Sequence, residues 1–193
     1  MASSSGTLTG KGEPQFLEGE RVTPSFFRVF GVAQAIGRAF RDEENVQGSQ
    51  RVIILTNALW RNRFGGASNI IGKPITMMEN DFTVVGVMPA TFENVLSPTA
   101  QYYVPLRYEV SLPQACRSCR HLRIVALRKS TVTIAQARSD LGRIAQNMRS
   151  DFPKDYSNLG FMAPMLSDDI VTGVRPARLA LPLRLPVCAS SWH

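Results

Sequence analysis

The chain has 193 residues, 44% of them hydrophobic, enough for one domain or two small lobes around a real core. Twenty-two Lys and Arg against 15 Asp and Glu give a net charge of +7, which favours an anionic partner, but the excess is spread along the chain as on a solvated surface. No run of about 18 apolar residues is present and Met1 to Gly12 has no apolar core region, so neither a membrane-spanning helix nor a secretory leader is expected within these residues.

Residues 1–17 open with a Ser-, Gly- and Thr-rich stretch that is expected to be disordered, because it offers too little apolar surface to offset chain entropy. Order is expected from Glu20-Arg21-Val22, a short strand. Thr23-Pro24 then predicts a helix start, with Phe26, Phe27, Val29 and Phe30 on a short helix closed by Gly31. Ala33 to Asn45 reads as irregular, with Gly37 as a pivot and Asp42-Glu43-Glu44 as a solvated acidic turn.

Val52-Ile53-Ile54-Leu55 is wholly apolar and predicts a buried strand. Thr56 or Asn57 caps the next helix, which carries Leu59, Trp60 and Phe64 and stops at Gly65-Gly66. Ile75–Met78 and Phe82–Met88 predict a hairpin joined by Glu79-Asn80-Asp81. Pro89 ends its second strand, and Tyr102-Tyr103-Val104 is a further short strand.

Ser111 to Arg120 reads as polar loop, and Leu122 to Leu127 as a strand partly buried on both faces. Thr133-Ile134-Ala135-Gln136 fits a capping box. Ile134, Leu141, Ile144, Ala145, Met148 and Phe152 then recur at helical spacing and form one apolar stripe, which Pro153 ends. Phe161 to Leu166 suggests one more strand, and Ser167 to Val171 a helical turn.

The order and spacing of several segments resemble a known family. These are Val22-Thr23-Pro24-Ser25-Phe26-Phe27, Gly37-Arg38, Leu59-Trp60-Arg61-Asn62-Arg63-Phe64-Gly65-Gly66, Ile71-Gly72-Lys73 and Phe82-Thr83-Val84-Val85-Gly86-Val87-Met88-Pro89. Leu122-Arg123, Val132 to Ala137 and Phe152-Pro153 follow. Together they are similar to the MacB-like periplasmic core domain of ABC-transporter permeases, including FtsX-like and acidobacterial types. The similarity runs from about Gly12 to Ala177.

The resemblance implies an α+β fold with two lobes, a βα porter-like lobe and a mostly β lobe. It implies no catalytic residue and no cofactor. It also implies a role in coupling ATP-driven motion to export, with a homodimer, a cytoplasmic ATPase subunit or domain and a periplasmic adaptor as partners. The family setting is the inner membrane with this domain in the periplasm. The family pattern starts with a membrane helix and a strand–helix pair, so the domain is expected to be incomplete at the N-terminus and membrane association to depend on absent helices. Residues 18–177 are then the partial domain. Residues 178–193 form a tail broken by Pro182, Arg184 and Pro186, expected to be disordered or out of frame in a truncated gene.

Two other functions compete. Cys116-Arg117-Ser118-Cys119-Arg120-His121 has the spacing of half a zinc site, with Cys116, Cys119 and His121 as metal candidates. A fourth ligand is offered only by Cys188 or His193. A disulfide or free thiols in a loop are the plainer readings. Arg117, Arg120, Arg123, Arg128 and Lys129 form a basic stretch suited to nucleic acid or lipid head groups. Trp60-Arg61-Asn62-Arg63-Phe64 also mixes aromatic and basic residues, but Trp60 and Phe64 stand on one helix face and read as core. No nucleic-acid partner is expected. No phosphate-cradling loop or nucleophile elbow is present in the sequence.

Overall fold

The computed structural model describes residues 1–10, 12–109, 119, 122–157, 160, 161 and 163–166. The fold is α+β with a sheet-rich lobe. The elements are β1 (Ala2–Thr9), β2 (Gln15–Val22), α1 (Phe26–Val29), β3 (Ile36–Gly37), β4 (Val52–Leu55), α2 (Asn57–Phe64), β5 (Pro74–Met77), β6 (Asn80–Val87), β7 (Tyr102–Pro105), α3 (Ile134–Asp151) and α4 (Pro153–Tyr156), with a 3-10 turn at Asp42–Asn45.

The seven strands form one sheet in the order β3-β6-β4-β7-β2-β1-β5, and β5 also pairs with β6. That last pairing closes six of the strands into a ring. Only β3 hangs outside it, antiparallel to β6. Closure removes the open edges through which sheets aggregate. The connections are mixed: β2 runs parallel to β7 and β4 parallel to β6, while the other pairs are antiparallel.

Side-chain alternation explains the two cores. Leu8, Leu17, Ile53, Leu55, Ile75, Met77, Phe82, Val84, Tyr102 and Val104 come from all six ring strands and fill its interior. The alternate residues Val52, Ile54 and Tyr103 face outward and join Val22, Phe26, Phe27 and Phe40 in a second core. The unbroken apolar run of β4 follows directly, because that strand has a core on each face. At about 25 cal/mol per Å² of apolar area removed from water, these two layers carry most of the stabilisation.

Residues 1–17 are not disordered. β1 pairs with β2 from Ala2↔Arg21 to Leu8↔Gln15 and with β5 at Leu8↔Met77, so tertiary pairing orders a stretch that local composition does not. The predicted hairpin is present with a tighter turn. Met77 pairs with Asn80, leaving a two-residue loop of Met78 (φ 53°) and Glu79 (φ 61°). Positive φ at both positions is the signature of a type I′ turn. Ala33 to Asn45 contains β3, where Gly37 has φ 79° and a Cβ would meet the Val85 carbonyl oxygen at 2.2 Å, so only glycine fits.

α1 begins with Ser25 as its cap residue, two positions past the expected Thr23. α2 starts as predicted: Thr56 Oγ1 accepts from the Leu59 amide at 3.3 Å, and Gly65 ends the helix with φ 63°. Trp60 and Phe64 are half-buried against the ring interior, and Trp60 Nε1 donates to the Ala67 carbonyl at 3.1 Å. α3 shows the predicted capping box, with the Gln136 amide donating to Thr133 Oγ1 at 3.2 Å and the Thr133 amide to Gln136 Oε1 at 2.7 Å. Its stripe is only partly covered: Ala145 is buried, whereas Ile144 and Phe152 are exposed. Leu122 to Leu127 pairs in no strand, and the described part of Phe161 to Leu166 holds no strand either. Residues 167–193, which include the expected helical turn and the non-family tail, lie outside the described residues.

Candidate functional site

At Asp42-Glu43-Glu44 the first two residues are exposed, as expected of a solvated turn, but Glu44 is buried and forms a partly buried ion pair with Arg38. Glu44 is only 7% exposed. Its carboxylate accepts from Arg38 Nη2 at 2.6 Å and Nη1 at 3.0 Å, and from the Arg41 amide at 2.8 Å. Burial pushes the Glu44 carboxyl up, but the Arg38 and Arg41 bonds and charges outweigh it and hold the group below the usual carboxylate range. Arg107 joins from the far end of β7. Its Nε donates to the Glu44 carbonyl at 3.1 Å, its amide to Asn45 Oδ1 at 3.0 Å, and its Nη2 to the Gln50 carbonyl. Every polar atom of the Glu44 carboxylate is committed to the fold, so the node is a fastening and not a reactive centre. Sequence periodicity could not reveal it, because Arg38 and Glu44 are six residues apart on irregular backbone.

A second buried polar group sits beneath the β1–β2 ladder. Glu20 is 3% exposed and stands opposite Tyr103. Burial pushes the Tyr103 phenol up to about 12, the nearby Asn94 side chain opposing the rise and the Glu20 charge adding to it. Glu20 Oε2 and Asn94 Nδ2 are buried without hydrogen-bond partners among the described residues. A cleft of about 560 Å³ lies nearby, lined by Ser3, Ser5, Glu18, Glu20, Ser97 and Thr99 among others. A second cleft, of about 660 Å³, runs beside α1 over Phe27, Val32 and Phe40, with Arg28, Arg41, Asp42 and Glu43 on its rim. Its apolar floor and mixed-charge rim fit a contact surface.

Of the metal candidates, Cys116 and His121 lie outside the described residues. Cys119 is disulfide-bonded, so its sulfur is neither a free thiol nor a thiolate ligand in this state. Among the described residues no three His, Cys, Asp or Glu side chains converge as a metal site. The basic stretch is likewise dispersed. Arg123 Nη1 donates to the Leu96 carbonyl at 2.9 Å, and Arg128 Nη1 donates to the Lys129 and Val132 carbonyls. Arg117 and Arg120 lie outside the described residues.

The arrangement therefore offers shaped surfaces on a closed ring. No helix of the described residues is long and apolar enough to cross a membrane.

Comparison with known proteins agrees with this architecture. The family model described as MacB-like periplasmic core domain matches residues 1–144, and so begins at residue 1, ahead of the expected Gly12. The extracellular domain of the noncanonic ABC-type transporter YknZ from Gram-positive bacteria is similar, with 17% identity and a TM-score of 0.57 over 80% of this chain and 75% of that one. The periplasmic region of MacB from Actinobacillus actinomycetemcomitans is similar at 20% identity, with a TM-score of 0.56 over 90% of this chain and 73% of that one. At these identities the likeness is one of fold. No curated protein sequence matches the chain significantly.

Proposed function

The chain belongs to the MacB-like periplasmic core domain family, the extracytoplasmic part of an ABC-transporter permease, and on that premise we propose that it is a non-catalytic coupling domain. ATP binding at a cytoplasmic ATPase subunit or domain drives the movement. The domain relays that movement to export through contacts with a second protomer and with a periplasmic adaptor. The observation that carries this reading is the family match over residues 1–144. The closed ring supports it physically. Six strands hydrogen-bonded in a circle resist shear, so a push at one end moves the lobe as a body. The Arg38–Glu44–Arg107 node ties the irregular segment after β3 to the end of β7 and adds to that stiffness.

The test is removal of residues 1–144 from a complete permease that carries this domain. Export is expected to stop while the cytoplasmic subunit still hydrolyses ATP. Export at the full rate without the domain would refute coupling.

A further inference from the structure

The β1–β5 joint that closes the ring is short. Leu8 pairs with Met77 and Thr9 with Thr76, and the Met78 amide adds a bond to the Thr7 carbonyl at 3.1 Å. Leu8 and Met77 are buried there. Past Thr7 the seal is a side chain. Met78 lies over Gly6 so closely that a Cβ at residue 6 would stand 2.5 Å from Met78 Cγ and 2.8 Å from its sulfur. The thioether therefore rests on the β1 backbone, yet Met78 as a whole is 41% exposed. It also holds φ 53° in the turn, a conformation that a non-glycine residue keeps only while its surroundings hold it.

We propose that Met78 is an oxidation site, at which a peroxide converts the thioether to a sulfoxide and loosens the β1–β5 joint. A sulfur lone pair attacks one peroxide oxygen. The O–O bond breaks as the S–O bond forms, and sulfur gives up two electrons. The departing hydroxide takes the proton from the new S–OH group and leaves as water, so the peroxide is the species reduced. The product is polar where the thioether was apolar. A sulfur packed this tightly takes the extra oxygen only by lifting off Gly6 toward water, which uncovers the strand beside Leu8 and Met77. Met77 and Met88, at 0% and 1% exposed, are shielded from the same reagent. Met165 is as exposed as Met78 but lies beyond α4, outside the ring. The disulfide at Cys119 suits a compartment where such oxidants persist. The site is independent of the coupling role and is tested on the chain alone.

The full 193-residue chain is treated with hydrogen peroxide, and sulfoxides are located by tandem mass spectrometry. Met78 is expected to oxidise about tenfold or more faster than Met77 and Met88. Amide exchange followed by NMR then reads the joint. In the oxidised chain the Met78 amide is expected to exchange about tenfold or more faster than in the untreated chain. The Val84 amide, bonded to the Lys73 carbonyl at 3.0 Å where β6 meets the start of β5, is expected to keep its rate. Met78→Leu retains an apolar cover without a sulfur. Peroxide should leave exchange at residue 78 of that variant unchanged, although Met165 still oxidises. Met78 oxidising no faster than Met77 would overturn the proposal. So would an oxidised Met78 whose amide exchanges at the native rate. Faster exchange at residue 78 in peroxide-treated Met78→Leu would place the effect at another residue and overturn it as well.

Discussion

Tyr102 of β7 lies across Gly19 of β2. The two residues are opposite each other in the parallel ladder, and a Cβ at residue 19 would stand 2.6 Å from the Tyr102 ring. The ring reaches over β2 to β1, where its hydroxyl meets Ser4 Oγ at 3.2 Å, and Ser4 is itself paired with Gly19. One aromatic side chain thereby spans three strands of the ring. Gly19→Ala is expected to force the ring aside and cost about 1–3 kcal/mol. Tyr102→Phe removes only the Ser4 bond, worth about 0.5–1.5 kcal/mol. Urea denaturation of the two variants checks the order. A Gly19→Ala midpoint equal to that of the unchanged chain would contradict the packing described.

Glu44→Gln keeps the shape and removes the charge that Arg38 and Arg41 face. The loss is expected to be about 1–3 kcal/mol, the range for a buried polar group whose charged partner is left short. The native pair also predicts acid sensitivity. Because the Glu44 carboxyl is held below its usual value in the folded state, its contribution is present above the unfolded value of 4.5 and is lost as pH falls through the lower folded value. Denaturation midpoints between pH 6 and about pH 3 should fall less steeply for Glu44→Gln than for the unchanged chain.

Tyr103 makes the complementary prediction at high pH. Burial raises its phenol from 10.0 to about 12, so folding favours the protonated form. Its contribution is complete below pH 10 and is lost as pH rises through about 12. Absorbance titration at the phenolate band should show Tyr103 ionising only near that value or with unfolding. Loss of the high-pH step in Tyr103→Phe assigns it. An unchanged titration in that variant would contradict the burial.

The capping box of α3 is testable separately from the ring. Thr133→Ala removes the acceptor for the Gln136 amide and is expected to cost about 1 kcal/mol of helix stability. Helix content by circular dichroism should fall, with amide protection in β4 and β7 unchanged.

The elements that sequence alone predicted are those whose signals are local. The run Val52–Leu55, the Thr56 cap, the Gly65 stop and the Thr133–Gln136 box each act within a few residues. β1 escaped prediction because nothing in Ala2-Ser3-Ser4-Ser5-Gly6 drives order by itself. Its hydrogen bonds come from β2 and β5, and the Met78 side chain covers Gly6. Glu44 was misjudged for a related reason. An acidic run is solvated unless a distant guanidinium is placed against it, and Arg38 is placed by the backbone around Gly37. Leu122–Leu127 has the composition of a strand, but composition does not supply a partner, and among the described residues its one backbone pairing is Arg123 with Met1. The contact surfaces were the least legible part, since shape arises from the ring and not from any motif.

The most direct test of coupling is a distance. Gln47 is exposed between the 3-10 turn and β4, away from both cores. Spin labels at Gln47→Cys in the two protomers of a complete permease carrying this domain would report its movement by pulsed electron resonance. Coupling predicts a shift of the distance distribution when a non-hydrolysable ATP analogue binds. The same distribution with and without nucleotide, in a permease that still exports, would contradict it.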